Sequence, residues 1–440
     1  MKDLIEKRVF YVLLFIIIFC ITFCYSMFLT PSISDEIWSY SFCYNIASGL
    51  IPYRDFNMVI TPLFSLLGSI FVKIFGNYLF SIHIFAAIWV GIIMVMLFKL
   101  LKWKSFVFYV YILLYHSPTY NFLCLLWIFI ILYSVSIKKD NDIIMGIIVS
   151  FCFLTKQTIG MCLFIPYLYY SKNKLKSIII FFIPVILCIV FLIYKGAFYQ
   201  FIDYCFLGMF DFGSNNPCYS FIVPEAIVLI YVFYKLLRSE FKDKQCFYIL
   251  MFQIIAFPIV DAPHFFIAFS TVIYYLINRD INSKKDWYHL FYVIAFGVAY
   301  LIVGLNLDFT IVKENNFMYL RNANLKLMEL DKQTSIINKY DDRYDYKFYI
   351  LDTACFLKLY MSDTINKFDI LNNGNFGYKG SLGYIKDIDN LCNNNSCVFF
   401  VAYWYYDEVE GQFNKDILDY VVKNYNLIDK YKYFDVYSNS

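Results

Sequence analysis

Long apolar runs recur along this chain from residue 9 to residue 306 and then stop. They fall near 9–29, 78–98, 105–117, 120–136, 143–155, 159–171, 177–195, 221–237, 245–260, 265–278 and 287–306, eleven in all. A helix needs about 20 such residues to cross a hydrocarbon core about 30 Å thick. The composition agrees, because 61% hydrophobic and 16% charged residues leave too little polar surface for a water-soluble domain. The first run follows Lys2, Lys7 and Arg8 as a secretory leader would. It is longer than a leader's apolar core and no small-x-small cleavage site follows, so it reads as a retained span. The expected fold class is an α-helical polytopic membrane protein of about eleven spans with a small C-terminal extracytoplasmic α/β domain. The expected domains are 1–306, with a first outer loop at 30–77, and 307–440.

Charge sets the orientation. Eighteen Lys and Arg residues fall on alternate loops, in clusters such as Lys99/Lys102/Lys104 and Lys172/Lys174/Lys176. The opposite side of the membrane region carries four: Arg54, Lys73, Lys156 and Lys195. By the positive-inside rule the N-terminus is cytoplasmic and the tail, after an odd number of spans, is outside. This gathers otherwise scattered polar residues at the outer face: Asp35-Glu36, Arg54-Asp55, His116, Lys156-Gln157 and the run Asp261-Ala262-Pro263-His264. Ionisable groups at a membrane edge are costly, so their clustering favours one shared site.

Each has a plainer reading. Asp35 and Glu36 leave the bilayer half-shielded, which raises a carboxyl pKa and makes a usable base or ligand; Ser34-Asp35-Glu36 also reads as a helix start. Arg54 could clamp its own loop through Asp55, Lys156 could snorkel to the headgroups, and His264 could simply end a span. The runs 143–155 and 159–171 are each too short to cross alone, so Thr155-Lys156-Gln157-Thr158 is expected below the outer surface, lining a cavity. A lysine there calls for an anion. The piece Val59–Phe75, opened by Thr61-Pro62 and closed by Gly76, is expected as an amphipathic helix on the outer face.

The ordered set resembles a known family. An acid pair follows the first span, then come Gly49-Leu50-Ile51-Pro52-Tyr53-Arg54-Asp55-Phe56, Thr61-Pro62-Leu63-Phe64 and a short helix ending Phe75-Gly76. This is similar to the first extracytoplasmic loop of the GT-C glycosyltransferases, in the branch of protein O-mannosyltransferases and lipid A aminoarabinose transferase. Phe153–Thr158 and Pro263-His264-Phe265 resemble segments that recur in bacterial members. The resemblance implies transfer of a sugar, with inversion, from a polyprenyl-phosphate donor to an extracytoplasmic protein, lipid or glycan acceptor. It implies Asp35 as general base with Glu36 supporting it. Lys156, Arg54 and His264 are candidates for the donor phosphate, with Gln157, Asp55 and Asp261 lining the site. The chain departs from the family in reading Ile60-Thr61-Pro62-Leu63 where a His-Pro-Pro-Leu-like segment is common. No Asp-x-Asp motif follows the first span, so no cofactor is required, although Asp35 and Glu36 could hold Mg²⁺ or Mn²⁺. No nucleic-acid partner is expected. The expected setting is a bacterial cell membrane.

Two other readings remain open. A polymerase or ligase of surface polysaccharide shares the many spans and the lipid-linked donor, but would be expected to work through arginines in large outer loops. A transporter of lipid-linked glycan without chemistry would show repeated halves, and no repeat is evident. In the tail, Phe348–Leu351, Val398–Val401 and Tyr433–Val436 read as strands, and 324–338, 382–391 and 414–424 as helices. Cys392 and Cys397 could bridge if the tail is outside.

Overall fold

The computed structural model describes residues 2–28, 36–209, 218–278, 309–314, 317–322, 330–340, 342–350, 380–402, 415–432 and 434–440. Asp35, the turn Gly213–Pro217, the run 287–306 and the loop Asn372–Gly377 therefore lie outside the described residues. In chain order the helices begin with α1 (Lys2–Phe28), α2 (Trp38–Ala47), α3 (Leu63–Phe75), α4 (Phe80–Leu101), α5 (Ser105–Leu114) and α6 (Tyr120–Ser136). They continue with α7 (Asp142–Thr155), α8 (Gln157–Tyr170), α9 (Lys174–Tyr194), α10 (Phe198–Ile202), α11 (Ile222–Arg238), α12 (Lys244–Phe252) and α13 (Ala262–Asn278). The tail adds α14 (Leu330–Ile337), α15 (Gly380–Cys392) and α16 (Lys415–Asn424). Every apolar run up to residue 278 is thus helical. Arg8–Met27, Phe80–Leu114 and Lys174–Tyr194 are long and apolar enough to cross a membrane unaided.

The chain divides into two compact units, each assembled from separated stretches: 1–30, 80–188 and 218–323 in one, 31–79, 189–217 and 324–440 in the other. In the first, α6 is buried almost all round, from Tyr120 to Leu126 and again at Ile128, Phe129, Ile131 and Leu132. It packs against α4, α7, α12 and α13. α1 packs on α4, where Gly91 lets the Phe15 ring approach to within 2.7 Å of the place a Cβ would occupy. The outward face of α1 leaves Val12, Leu13, Ile16 and Ile17 exposed. An apolar surface of that extent suits hydrocarbon and not water.

The element that positions the site is the hairpin of α7 and α8. Asn141 starts α7 by accepting the Ile143 amide at 2.8 Å, the ordinary N-cap contact. A single extended residue, Lys156 (φ −149°, ψ 111°), separates the two helices. The chain then doubles back, since the Tyr167 hydroxyl near the end of α8 donates to the Asp142 carbonyl at the start of α7 at 2.8 Å. Gly160 permits the reversal: a Cβ there would lie 2.1 Å from the Phe153 Cα. The sequence thus places Lys156 at the tip of a tight antiparallel pair.

In the second unit, Glu36 and Ile37 form a π-type turn into α2, which is buried from Trp38 to Asn45. α3 begins after Pro62 and ends at Gly76, whose φ of +91° is closed to most side chains. It buries Phe64, Gly68 and Val72 and exposes Ile70 and Ile74, the two-faced helix expected at 59–75.

The tail carries a four-stranded sheet of β3 (Tyr346–Ile350), β4 (Cys397–Ala402), β5 (Asn426–Lys430) and β6 (Phe434–Ser438), in the order β3-β4-β6-β5. β3 and β4 run parallel and the other pairs antiparallel. Phe348, Phe399 and Val401 pack with Ile388 of α15 and with Ile417 and Val421 of α16. Each such burial contributes about 2 kcal/mol. The three expected strands and three expected helices are present. β5 has no counterpart among the expected strands, because all five of its residues are exposed and carry no alternating pattern. The hairpin of β1 (Phe309–Glu314) and β2 (Phe317–Asn322) is likewise an addition. Cys392 and Cys397 are free thiols. A hydrogen bond between them, with Cys397 donating, holds the Cys392 thiol below its ordinary pKa and, together with burial, pushes Cys397 well up.

Candidate functional site

Lys156, Asp261 and His264, singled out separately in the sequence, meet in the first unit through a fourth residue, Asn121. Asp261 precedes α13 and caps it: its Oδ1 accepts the His264 backbone amide at 3.0 Å, and its carbonyl accepts the Phe265 amide. Pro263 fits in this first turn because the amide it lacks would have had no helical partner. The same Asp261 Oδ1 lies 2.7 Å from His264 Nδ1. His264 Nε2 lies 3.1 Å from Asn121 Nδ2, on the first turn of α6. Asn121 Oδ1 accepts from the Lys156 ammonium at 2.9 Å.

Proton positions along this row follow from one fact, that an ammonium can only donate. The Asn121 atom facing Lys156 must therefore be the oxygen, and the amide nitrogen must face His264. Nε2 then has to accept, so the ring proton sits on Nδ1 and is donated to Asp261. Burial alone would push the Asp261 carboxyl up, but its hydrogen bonds to the ring and backbone amide of His264, with the Lys156 charge nearby, hold it below the usual carboxylate range. Asn121 is 1% exposed and His264 7%, so water competes little for these contacts. The Lys156 ammonium also stands 5.7 Å from the centre of the Tyr120 ring, within cation–π range. Thr155, just before the hairpin tip, is tied to α6 by the Trp127 indole at 2.9 Å. Gln157, just after it, is buried.

The second unit holds the other candidates. Arg54 makes a two-pronged pair with Asp55, Nε to Oδ1 at 2.8 Å and Nη2 to Oδ2 at 2.9 Å. Its Nη1 donates to the Lys195 carbonyl at 3.3 Å. Asp55 Oδ2 also accepts the Ile51 amide at 2.9 Å. These contacts lock the turn that brings Pro52 beside Phe56. Tyr53 within it has φ of +70° and is held there by its buried hydroxyl, which donates to the Ile60 carbonyl at 2.7 Å. Arg54 therefore has the contacts that its plainer reading as a loop clamp calls for. Glu36 is buried, at 5% exposure, while Asp35 lies outside the described residues. Among the described residues no three His, Cys, Asp or Glu side chains gather as metal ligands.

Sequence reasoning missed Asn121, whose only signal is a polar residue inside an apolar run. It also missed Glu225, on the first turn of α11, which is fully buried with neither carboxyl oxygen hydrogen-bonded among the described residues.

No protein-family model and no curated protein matches the chain in sequence. Two solved structures match it in fold. ArnT from Cupriavidus metallidurans bound to undecaprenyl phosphate aligns over 99% of this chain and 98% of its own, with a TM-score of 0.52 and 10% identity. The same enzyme in the apo state aligns over the same shares with a TM-score of 0.53 and 10% identity. At 10% identity the likeness is one of fold, and it spans nearly the whole length of both chains.

Proposed function

We propose that this protein transfers a sugar from a polyprenyl-phosphate donor to an extracytoplasmic protein, lipid or glycan acceptor, inverting the anomeric carbon. The observation that carries this reading is the whole-length likeness to ArnT, which was solved with undecaprenyl phosphate bound. In the proposed step the Asp35 carboxylate takes the proton of an acceptor hydroxyl. The acceptor oxygen bonds to the anomeric carbon as the bond from that carbon to the phosphate oxygen breaks, and the polyprenyl phosphate leaves with the bonding electrons. The base lowers the barrier on the acceptor side, and a cation stabilises the charge that develops on the leaving phosphate.

The geometry favours Lys156 for that cation over the other two candidates. His264 uses one ring nitrogen on Asp261 and the other on Asn121, so it holds the arrangement and does not donate to phosphate. Arg54 spends its charge on Asp55. In this reading Glu36 assists Asp35, and Gln157, Asp55 and Asp261 stay as further candidate site residues. Asp35 and Glu36 remain the pair that would take Mg²⁺ or Mn²⁺, and chelation with EDTA tests for it. The basic loops put the N-terminus in the cytoplasm and the tail outside, where a lipid-borne donor reaches the site sideways from the bilayer.

Asp35→Asn is the decisive variant. It removes the base with almost no change in shape, so transfer falls by about 10³-fold or more while undecaprenyl phosphate still binds. Near-wild-type transfer by Asp35→Asn would remove Asp35 from the mechanism.

A further inference from the structure

We infer that Cys392 and Cys397 form a thiol–disulfide exchange site in the tail, in which Cys392 attacks a disulfide-bearing oxidant and Cys397 then closes the bridge. The inference takes from the transfer reading only the tail's place outside the cytoplasm, where oxidants of that class act. Its basis is that contacts other than the thiols' own bring the two residues together.

Cys392 ends α15 and Cys397 opens β4, so residues 393–396 must turn the chain back. One side chain, Asn439, holds both ends of that turn. Its Oδ1 accepts the Cys397 amide and its Nδ2 donates to the Cys392 carbonyl, each at 2.8 Å. The same Nδ2 donates to the Asn395 carbonyl at 2.8 Å. Asn439 stands there because β6 pairs with β4 and ends one residue earlier, at Ser438. From the other side Asp345, just before β3, accepts the Ser396 amide and hydroxyl through Oδ2, each at 2.9 Å. Inside this frame the Cys397 thiol donates to the Cys392 sulfur. A pair already in hydrogen-bond contact needs little backbone movement to bridge.

The two thiols are unlike, and the difference sets the order of the steps. Cys392 is half-buried beside the exposed Asn393 and Asn394, whereas Cys397 is buried in the tail's core. The hydrogen bond from Cys397 favours a Cys392 thiolate; burial and the nearby Asp389 charge oppose it, and a second hydrogen bond, from the Tyr425 hydroxyl, supports it. The Cys392 thiolate attacks one sulfur of the oxidant's disulfide, whose S–S bond breaks as the second sulfur leaves as a thiolate. Cys397, no longer donating to a thiolate, gives up its proton and attacks the Cys392 sulfur. The mixed disulfide breaks, the Cys392–Cys397 bond forms, and the oxidant departs reduced by two electrons and two protons. The ring so closed is short and restrains the unfolded chain little, so a reductant should open it again.

The test equilibrates the full-length protein in nanodiscs with mixtures of reduced and oxidised glutathione, then quenches in acid, alkylates and digests with trypsin. One tryptic peptide, 387–415, carries both cysteines, so its mass distinguishes two alkylated thiols from a bridge. The wild type should pass from doubly alkylated to bridged and return when the buffer is made reducing. Cys397→Ser should accumulate glutathione on Cys392, and Cys392→Ser should take it up at Cys397 on the order of tenfold more slowly or less. A wild-type peptide that stays doubly alkylated in the most oxidising buffer, or that carries glutathione on both sulfurs, would overturn the inference. Equal uptake by the two variants would overturn it too. The wild-type result needs no variant to fold, and none of these readings requires sugar transfer.

Discussion

Two basic residues of this protein, Lys156 and Arg54, look alike in the sequence and are treated differently by the fold. Lys156 sits at the tip of a helical hairpin and donates to a neutral amide oxygen. Arg54 sits in an irregular loop and is locked to a carboxylate one residue away. A neutral acceptor offsets less of a cation's charge than side-on pairing with a carboxylate does. The two contacts therefore differ in their partner and not in the charge of the cation. Asn121 is 35 positions from Lys156 in the chain, and the partner of Arg54 is its neighbour.

The hairpin should be the more fragile region. Gly160→Ala puts a carbon 2.1 Å from the Phe153 Cα, where backbone and not a flexible side chain stands. The variant should lose about 3 kcal/mol or more and elute as aggregate in size-exclusion chromatography. Folded, monodisperse Gly160→Ala would show that the two helices do not pack so closely. Next in size, Lys156→Ala should lower transfer by about 100-fold, and Lys156→Arg should recover little because the fork does not match one amide oxygen. Arg54→Ala should lower transfer by less than about tenfold and instead open the 50–60 loop to protease. The reverse ranking would exchange the roles assigned to the two residues.

Much of this is legible in the sequence, and the residues show why. Apolar runs announce their helices because lipid admits no other open-chain backbone, so the helices over those runs up to residue 278 are readable, while α2 and α10 lie on none of them. Pro62 and Gly76 bound α3 because each restricts the backbone locally. Local signals of this kind survive without a structure. Asn121 gives none, because its meaning lies in contacts with Lys156 and His264, 35 and 143 positions away. Without those contacts His264 looks like a phosphate donor, and with them both its ring nitrogens have side-chain partners. β5 is invisible because exposed edge residues need no apolar alternation.

Smaller effects sharpen the comparison further. The Asp261 carboxyl is held below its ordinary pKa, so its contribution to stability is present above about pH 4, the unfolded value, and is lost as pH falls through the folded one. The thermal midpoint should therefore drop on acidification below pH ~4 in the wild type and change less in Asp261→Asn. An equal drop in both would mean that other carboxylates control the acid transition. Tyr53→Phe removes the hydroxyl bonded to the Ile60 carbonyl and should cost about 1 kcal/mol in denaturant unfolding, with no change in undecaprenyl phosphate binding. A binding defect in Tyr53→Phe would bring the Arg54 loop back into the site.

The central claim is that a polyprenyl-phosphate sugar is this protein's donor, and the lipids of cells lacking the protein test it most directly. Mass spectrometry of their extract should show one polyprenyl-phosphate sugar accumulating, removed by restoring the wild-type chain and not by Asp35→Asn. An extract indistinguishable from that of the parent cells, or one cleared equally by Asp35→Asn, would contradict it.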